Sequence, residues 1–143
     1  MPSPPVTPPD AMEPAARARL LDAVRFDHAG LVACIAQQHD TGEVLMMAWM
    51  NRAALAETLA TGRVTYWSRS RDALWRKGES SGQVQKLVDL RLDCDGDTLL
   101  ALVEQTGVAC HTGRRSCFYR ALREGELAEI TTPEVAPESL YGR

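Results

Sequence analysis

Residues 93–117 concentrate side chains that can bind metal ions. Three cysteines and a histidine are interleaved there with three aspartates, in the order Asp93, Cys94, Asp95, Asp97, Cys110, His111 and Cys117. Thiolates and imidazole suit zinc, whereas grouped carboxylates suit magnesium, calcium or manganese. Three thiolates leave one tetrahedral position for water, which is how a catalytic zinc site is arranged. The pattern indicates metal-assisted chemistry, although no CxxC pair is present and isolated cysteines are often only small buried hydrophobes.

Cys34 and His111 call for separate interpretations. Cys34 lies in the apolar run 31–35, so we interpret it as a core residue rather than a ligand. His111 follows Cys110 in a glycine-containing loop. An imidazole there suits either a fourth metal ligand or a proton shuttle, and an ordinary surface histidine is the alternative to both.

Several well-known sites do not fit the sequence. The series Asp93, Asp95, Asp97 with Glu104 at the twelfth place resembles a calcium loop, but the sixth place is Thr98 instead of glycine. The segments on either side are also predicted strands, whereas a calcium loop needs helices. The sequence has neither the His-x-Glu nor the Pro-Cys-x-x-Cys of zinc nucleobase deaminases, and no P-loop, dinucleotide fingerprint or GxSxG.

Composition and charge narrow the class of protein. The 143 residues suit one domain, with 24% charged and 45% hydrophobic residues. A net charge of −3 argues against nucleic-acid binding, and no apolar run is long enough to span a bilayer. Without a secretory-signal pattern we expect a cytoplasmic protein whose cysteines are thiols or metal ligands. Segment 63–77 is basic and segment 89–97 is acidic, a pairing that suits an anionic substrate held near a cation.

The elements that must position these residues are predicted from hydrophobic periodicity and turn signals. We expect a disordered proline-rich tail over 1–16, one domain over 17–130 and a C-terminal tail over 131–143. In the predicted strand 84–97, Leu90, Leu92 and then Cys94 point to the core while the aspartates point away, which separates two metal positions. The other predicted elements are helices 17–26 and 51–61, strands 31–37, 44–50, 63–68 and 98–103, a long loop 68–82, a loop 106–116, and a strand or short helix 117–122.

Longer motifs resemble one enzyme family. They are the stretches Trp49-Met50-Asn51, Tyr66-Trp67-Ser68-Arg69-Ser70-Arg71, Leu74-Trp75-x-Lys77-Gly78-Glu79, Asp93-Cys94-Asp95-x-Asp97 and Ala109-Cys110-His111-Thr112-Gly113-x-x-Ser116-Cys117. Together they resemble phosphoribosyl-AMP cyclohydrolase of histidine biosynthesis, over roughly residues 30–120. By the same resemblance we expect the monofunctional form, because the 143 residues leave no room for the second, pyrophosphohydrolase domain of some members.

This resemblance implies a fold, a reaction and a set of site residues. The fold would be mainly β (α+β), a mixed sheet folded on itself with one or two short helices. The enzyme would open the N1–C6 bond of 1-(5-phosphoribosyl)-AMP by hydrolysis, as a homodimer whose zinc ligands come from both subunits. Zinc would lie on Cys94, Cys110 and Cys117, and magnesium on Asp93, Asp95 and Asp97. We add His111 for proton transfer, and Arg69, Arg71 and Lys77 for the substrate phosphates.

Two other functions remain open at this point. A zinc-stapled interaction module would use the three thiolates and His111 as a closed four-ligand site. A hydrolase acting on another purine nucleotide would share every motif and differ only in substrate.

Overall fold

A computed structural model describes residues 4–7 and 12–140 of the chain. Its elements, in chain order, are α1 (Pro14–Ala23), β1 (Val32–Gln38), β2 (Val44–Met50), α2 (Arg52–Thr61), β3 (Thr65–Ser68), β4 (Ala73–Arg76), β5 (Gln85–Leu92), β6 (Thr98–Gln105), β7 (Arg120–Arg123), β8 (Glu126–Glu129) and α3 (Pro137–Leu140). The predicted mainly β, α+β class is confirmed. The predicted tails fall partly on residues 1–3, 8–11 and 141–143, outside the described residues, and stay predictions.

Six strands form one mixed sheet in the order β4-β3-β2-β1-β6-β5. All neighbouring strands are antiparallel except β1 and β6, which are parallel. The segment before β3 also bonds to the opposite edge, because Val64 N–H donates to Gln85 O and Leu87 N–H donates to Gly62 O. The sheet is therefore folded on itself. Strands β7 and β8 form a separate hairpin.

Helix α2 fills the inner face of this folded sheet. Asn51 caps it, with Oδ1 accepting from Ala54 N–H at 2.8 Å, and Gly62 ends it in the left-handed conformation at φ 75°. Its buried side chains pack against the inner residues of β1, β2 and β6. Helix α1 spans residues 14–23 instead of the predicted 17–26, because Pro14 is preorganised for a first helical turn. Among the described residues, no helix is long and apolar enough to cross a membrane.

Strand β5 differs from its prediction in length and phase. A bulge lies between Leu87 and Asp89, so the core face passes from Leu87 to Leu90 and Leu92, in register with Val103, Ala101 and Leu99. The strand ends at Leu92, where a turn begins. Cys94 is consequently exposed, and the prediction that it points to the core is wrong.

Two other segments also differ. The predicted loop 68–82 contains strand β4, which pairs with β3, and the Trp75 ring packs against the Tyr66 ring with centroids 5.4 Å apart. At the predicted element 117–122, strand β7 begins only at Arg120.

Candidate metal and substrate site

Three aspartates are gathered in the turn between β5 and β6. Asp93 Oδ1 accepts from the N–H groups of Asp97 at 2.9 Å and Thr98 at 3.2 Å, which closes the turn. Gly96 adopts φ 79° and lies against the end of α1, where a Cβ would come within 3.2 Å of Ala23 O. Carboxylate oxygens of Asp93, Asp95 and Asp97 lie within 4.8 Å of one another. This donor set fits a hard divalent cation.

The closeness of these carboxyl groups shifts the pKa values of Asp93 and Asp97. Hydrogen bonding to Asp93 and Asp95 raises the pKa of Asp97 above its ordinary value, and repulsion from both adds to the shift. Desolvation tends to raise the pKa of Asp93, but the N–H groups of Asp97 and Thr98 outweigh it and lower that pKa. The turn therefore concentrates negative charge that a cation would offset.

Cys94 belongs to this same exposed turn. We expected the thiol and the carboxylates to lie on opposite faces of a strand. Instead, one turn carries both. The two proposed metal positions are therefore not separated by a strand pleat within one chain.

Cys110 is held in a compact loop after β6. Ala109 N–H donates to Arg115 O at 3.0 Å, Cys110 N–H donates to Arg114 O at 3.1 Å, and the Thr112 hydroxyl donates to Cys110 Sγ at 3.1 Å. Gly113 has φ 86° and packs so closely on the backbone of Val135 that a Cβ would clash there. The Cys110 residue is buried, while His111 beside it is exposed.

Hydrogen bonds to strand β2 position Cys117 near Cys110. Its N–H donates to Leu45 O at 2.7 Å, and the Ser116 hydroxyl donates to Val44 O at 2.7 Å. Although the residue as a whole is exposed, partial burial of the thiol raises the pKa of Cys117 to about 12, with repulsion from and hydrogen bonding to Cys110 adding to the shift. Two of the three predicted zinc ligands therefore converge.

Cys94 does not join them within one chain. It precedes β6, and Cys110 follows β6. Eight residues at about 3.3 Å per step make that strand roughly 23 Å long. Within the described part of the chain, the groups that could hold a metal are the aspartate turn and the trio His39, Asp40 and Glu104. The three cysteines form no such group in a single chain.

The predicted phosphate-binding residues line two neighbouring cavities. Arg71 and Lys77 line one of about 260 Å³, and Arg69 lines an open one of about 580 Å³; Trp75 contributes to both. The Arg69 guanidinium lies 5.0 Å from the centroid of the Trp49 ring, within the range of a cation–π contact. Lys77 is 5% exposed. Burial lowers the pKa of Lys77, and the nearby Cys117 and Cys110 thiols oppose that shift, so the lysine lies close to the thiol pair.

Sequence reasoning missed a chain of buried polar residues that leads to the backbone just before Cys110. Tyr66 donates to Gln85 Oε1 at 2.7 Å, and Gln85 Nε2 donates to Gln105 Oε1 at 2.9 Å. Gln105 Nε2 in turn donates to Thr106 O at 2.8 Å and to Val108 O at 3.3 Å. These bonds fix the start of the loop that contains Cys110. These residues come from three different strands, so their contacts do not follow from the spacing of any one segment, although Tyr66 lies in one of the motifs that carry the family resemblance.

The comparisons with known proteins agree on one family. Residues 46–119 match the family model described as phosphoribosyl-AMP cyclohydrolase. A phosphoribosyl-AMP cyclohydrolase of Rhodospirillum centenum is 69% identical over 124 residues, covering 87% of this chain and 93% of that protein. One of Granulibacter bethesdensis is 67% identical over 86% of this chain and 97% of its own, and one of Chromohalobacter salexigens is 70% identical over 86% and 84%.

Proposed function

The chain belongs to the phosphoribosyl-AMP cyclohydrolase family, and from this membership we propose that it hydrolyses the N1–C6 bond of 1-(5-phosphoribosyl)-AMP in histidine biosynthesis. The product is the formimino-carboxamide ribonucleotide, in which the water oxygen has joined C6 and a proton has joined N1. The observation that carries this proposal is that the matched segment contains the converging thiols, the aspartate turn and both basic cavities.

We assign zinc to Cys94, Cys110 and Cys117. The fit is supported by the Cys110 and Cys117 thiols, which lie together, and by the soft donor chemistry of three cysteines. Bound there, zinc would supply hydroxide at neutral pH by lowering the pKa of water to about 7. Because Cys94 lies beyond the other end of β6, the third ligand would come from a second copy of the chain. The proposal is therefore a homodimer with zinc ligands shared between subunits.

The remaining residues bind and orient the substrate. We assign magnesium to Asp93, Asp95 and Asp97, where a cation with few protein ligands would keep sites open for phosphate. Arg69, Arg71 and Lys77 would hold the phosphates through the two cavities that they line.

His111 has the proton-transfer role in this proposal. His111 adjoins Cys110 in a loop whose backbone is held by hydrogen bonds. Because its imidazole is exposed, the side chain can reach a bound substrate. We place the reaction in the cytoplasm, where reducing conditions keep cysteines available as metal ligands.

A direct assay tests the reaction. The protein, supplied with zinc and magnesium, should convert phosphoribosyl-AMP to a product whose absorbance rises with time, and Cys110→Ser should not. Cys34→Ala is the matched control, because Cys34 is fully buried in the core and should leave turnover intact. Turnover of another purine nucleotide, with phosphoribosyl-AMP unchanged, would show that the substrate is wrong.

A further inference from the structure

The loop that carries Cys110 and Cys117 has no regular secondary structure of its own. Residues 106–119, between β6 and β7, belong to no helix or strand, yet Cys110 within them is buried. Buried carbonyl and N–H groups need hydrogen-bond partners, and outside a strand no regular ladder provides them. Side chains provide them instead, and two of these, Gln105 and Arg115, bond to the segment that leads into Cys110.

Gln105 holds the start of this loop from the inside of the protein. The residue is 3% exposed, and its Nε2 donates to Thr106 O at 2.8 Å and to Val108 O at 3.3 Å. Its Oε1 accepts from Gln85 Nε2 at 2.9 Å, so the orientation of the amide is fixed from the other side. A side chain without the amide N–H groups would leave both carbonyls without this donor, two residues before Cys110.

Arg115 closes the same loop from its more exposed side. Its Nη1 donates to Gly107 O at 2.7 Å and to Gln105 O at 3.3 Å, and its own carbonyl accepts from Ala109 N–H at 3.0 Å. Arg115 lies two residues before Cys117. These bonds therefore tie the segment that enters the loop to the segment that leaves it.

Gln38 joins the two contacts through one oxygen. Its Oε1 accepts from Gln105 N–H at 3.0 Å and from Arg115 Nη2 at 2.8 Å, and Gln38 is itself buried. We call Gln38, Gln105 and Arg115 the loop clamp. Gln38 and Gln105 belong to β1 and β6, two interior strands of the sheet, and rigid elements hold functional groups more precisely than loops do.

The loop clamp fixes one thiol relative to the other. Cys117 is held on β2, since its N–H donates to Leu45 O, and its thiol is hydrogen-bonded to that of Cys110. The place of Cys110 beside it depends on the start of the loop, which the clamp holds. Ligands that are ordered in advance bind more tightly because less conformational freedom is lost on binding.

We propose that Gln105 and Arg115 are positioning residues for the reaction, which through the loop clamp hold the Cys110 and Cys117 thiols at ligand spacing before zinc binds. This inference rests on the proposed zinc assignment and names the residues that set its affinity. Neither side chain touches the metal or the substrate in this proposal, since both act through the backbone of the loop.

Hydrogen exchange of the metal-free protein tests the positioning directly. Peptides covering 106–117 should exchange slowly in wild type, because N–H groups of this segment are hydrogen-bonded across the loop. Gln105→Met keeps the length of the side chain and removes the amide. Exchange in these peptides should then accelerate about ten-fold or more, while β1 and β2 keep their protection. Equal exchange in wild type and variant would overturn the proposal.

Metal affinity gives a second measurement. Competition with a chelating dye should show zinc bound about ten- to a hundred-fold more weakly by Gln105→Met, the range typical of residues that orient metal ligands. The cobalt-substituted variant should show a weaker thiolate-to-cobalt charge-transfer band. At saturating zinc its kcat should fall while KM stays within about twofold of wild type, because the basic cavities are left intact.

Gln85→Met is the matched control. It makes the same substitution at a fully buried residue of the same hydrogen-bonded chain, which reaches the loop only through Gln105. It should lower the free energy of unfolding about as much as Gln105→Met, since each removes a buried amide. Its zinc affinity should nevertheless stay within about threefold of wild type. Equal loss of affinity in the two variants would mean that the chain only stabilises the fold.

Arg115 provides a parallel test at a residue whose side chain is 25% exposed, so the result does not depend on how Gln105→Met folds. Arg115→Met should weaken zinc binding as Gln105→Met does, and Arg115→Lys should recover part of the affinity by donating to Gly107 O. Glu43→Gln removes the ion-pair partner of Arg115 at 3.4 Å but no bond of the clamp, and should bind zinc like wild type.

The outcomes separate this proposal from the proposed reaction. Wild-type zinc affinity in both Gln105→Met and Arg115→Met would overturn the positioning role even if wild type turns over phosphoribosyl-AMP. Failure of the reaction would appear differently, as exchange rates and zinc affinities that follow the expected order in a protein without turnover.

Discussion

Cys94 and Cys110 lie beyond opposite ends of β6, an eight-residue strand about 23 Å long. The two residues are only sixteen positions apart in the sequence, yet among the described residues of one chain the three cysteines do not form a group that could hold a metal ion. We therefore propose that a zinc site built from both takes its ligands from two chains.

Mixed dimers should therefore recover activity that neither parent has. Cys94→Ser and Cys110→Ser should each be inactive alone, because every site in either homodimer lacks one ligand. In a dimer of one copy of each, one site contains both substitutions and the other contains none. Co-expression with two affinity tags, followed by tandem purification, should give dimers with about half the wild-type activity and one zinc per dimer. Mixed dimers without activity or zinc would mean that the ligands are not shared.

The aspartate turn offers a test that separates the two metals. Asp95→Asn should raise the magnesium concentration needed for half-maximal activity, since the amide is a weaker ligand for a hard cation. Zinc per chain and the melting temperature should change little, because the turn is closed by Asp93 and not by Asp95. Asp22→Asn, an exposed aspartate on α1, is the control and should leave the magnesium requirement unchanged. Equal loss of zinc in Asp95→Asn would contradict separate sites.

Local signals in the sequence were sufficient for much of the fold. Strand β2 was predicted to the residue, and helix α2 was predicted correctly because Asn51 and Gly62 are strong end signals. The bulge near Val88 was not predictable, because Val88, Leu90 and Leu92 keep a regular two-residue alternation in the sequence, and only the pairing with β6 places Leu87 in the core. Strand β4 was missed because glycines and serines surround it, and its partner β3 is what makes it a strand.

The candidate site shows the same division. The residue types that could bind a metal ion follow from the sequence, but the way in which the fold groups them does not. Cys94 and the aspartates share a turn, but the alternation of Asp93, Asp95 and Asp97 in the sequence is typical of a strand. Nothing in the spacing reveals that Lys77 lies close to Cys117, because the two residues are forty positions apart and meet only in the folded sheet.

The basic cavities predict a specific defect in substrate binding. Arg69→Ala and Arg71→Ala should each raise KM about ten- to a hundred-fold, since charge-assisted hydrogen bonds contribute about 1.5–3 kcal/mol. The loss should shrink for a substrate that lacks one phosphate. Arg52→Ala is the control, because Arg52 is paired with Asp22 at 2.9 Å and lies on α2. A KM within twofold of wild type in both variants would remove these arginines from the phosphate sites.

The ion pair of Glu57 and Arg76 predicts how stability depends on pH. The Arg76 Nε and Nη2 groups donate to both Glu57 oxygens, at 2.5 and 2.9 Å, and this holds the pKa of Glu57 below its ordinary value. A lowered native pKa stabilises the fold above the unfolded pKa of about 4.3 and loses that effect as pH falls through the native pKa. Urea denaturation should show wild type more stable than Glu57→Gln at pH 7, with the gap closing below about pH 4. A gap that widens on acidification would contradict this role.

His111 should be needed for turnover and dispensable for zinc. Its imidazole is exposed and adjoins Cys110, while three thiols from two chains already complete the proposed ligand set. General acid–base groups contribute about 10²- to 10⁴-fold in rate. His111→Ala should therefore lose activity by that factor and keep one zinc per chain with an unchanged melting temperature. His39→Gln is the control, because His39 is paired with Glu104 at 3.0 Å and should be active. If His111→Ala is folded but free of zinc, the histidine is a metal ligand, and the position assigned to the reacting water is already filled.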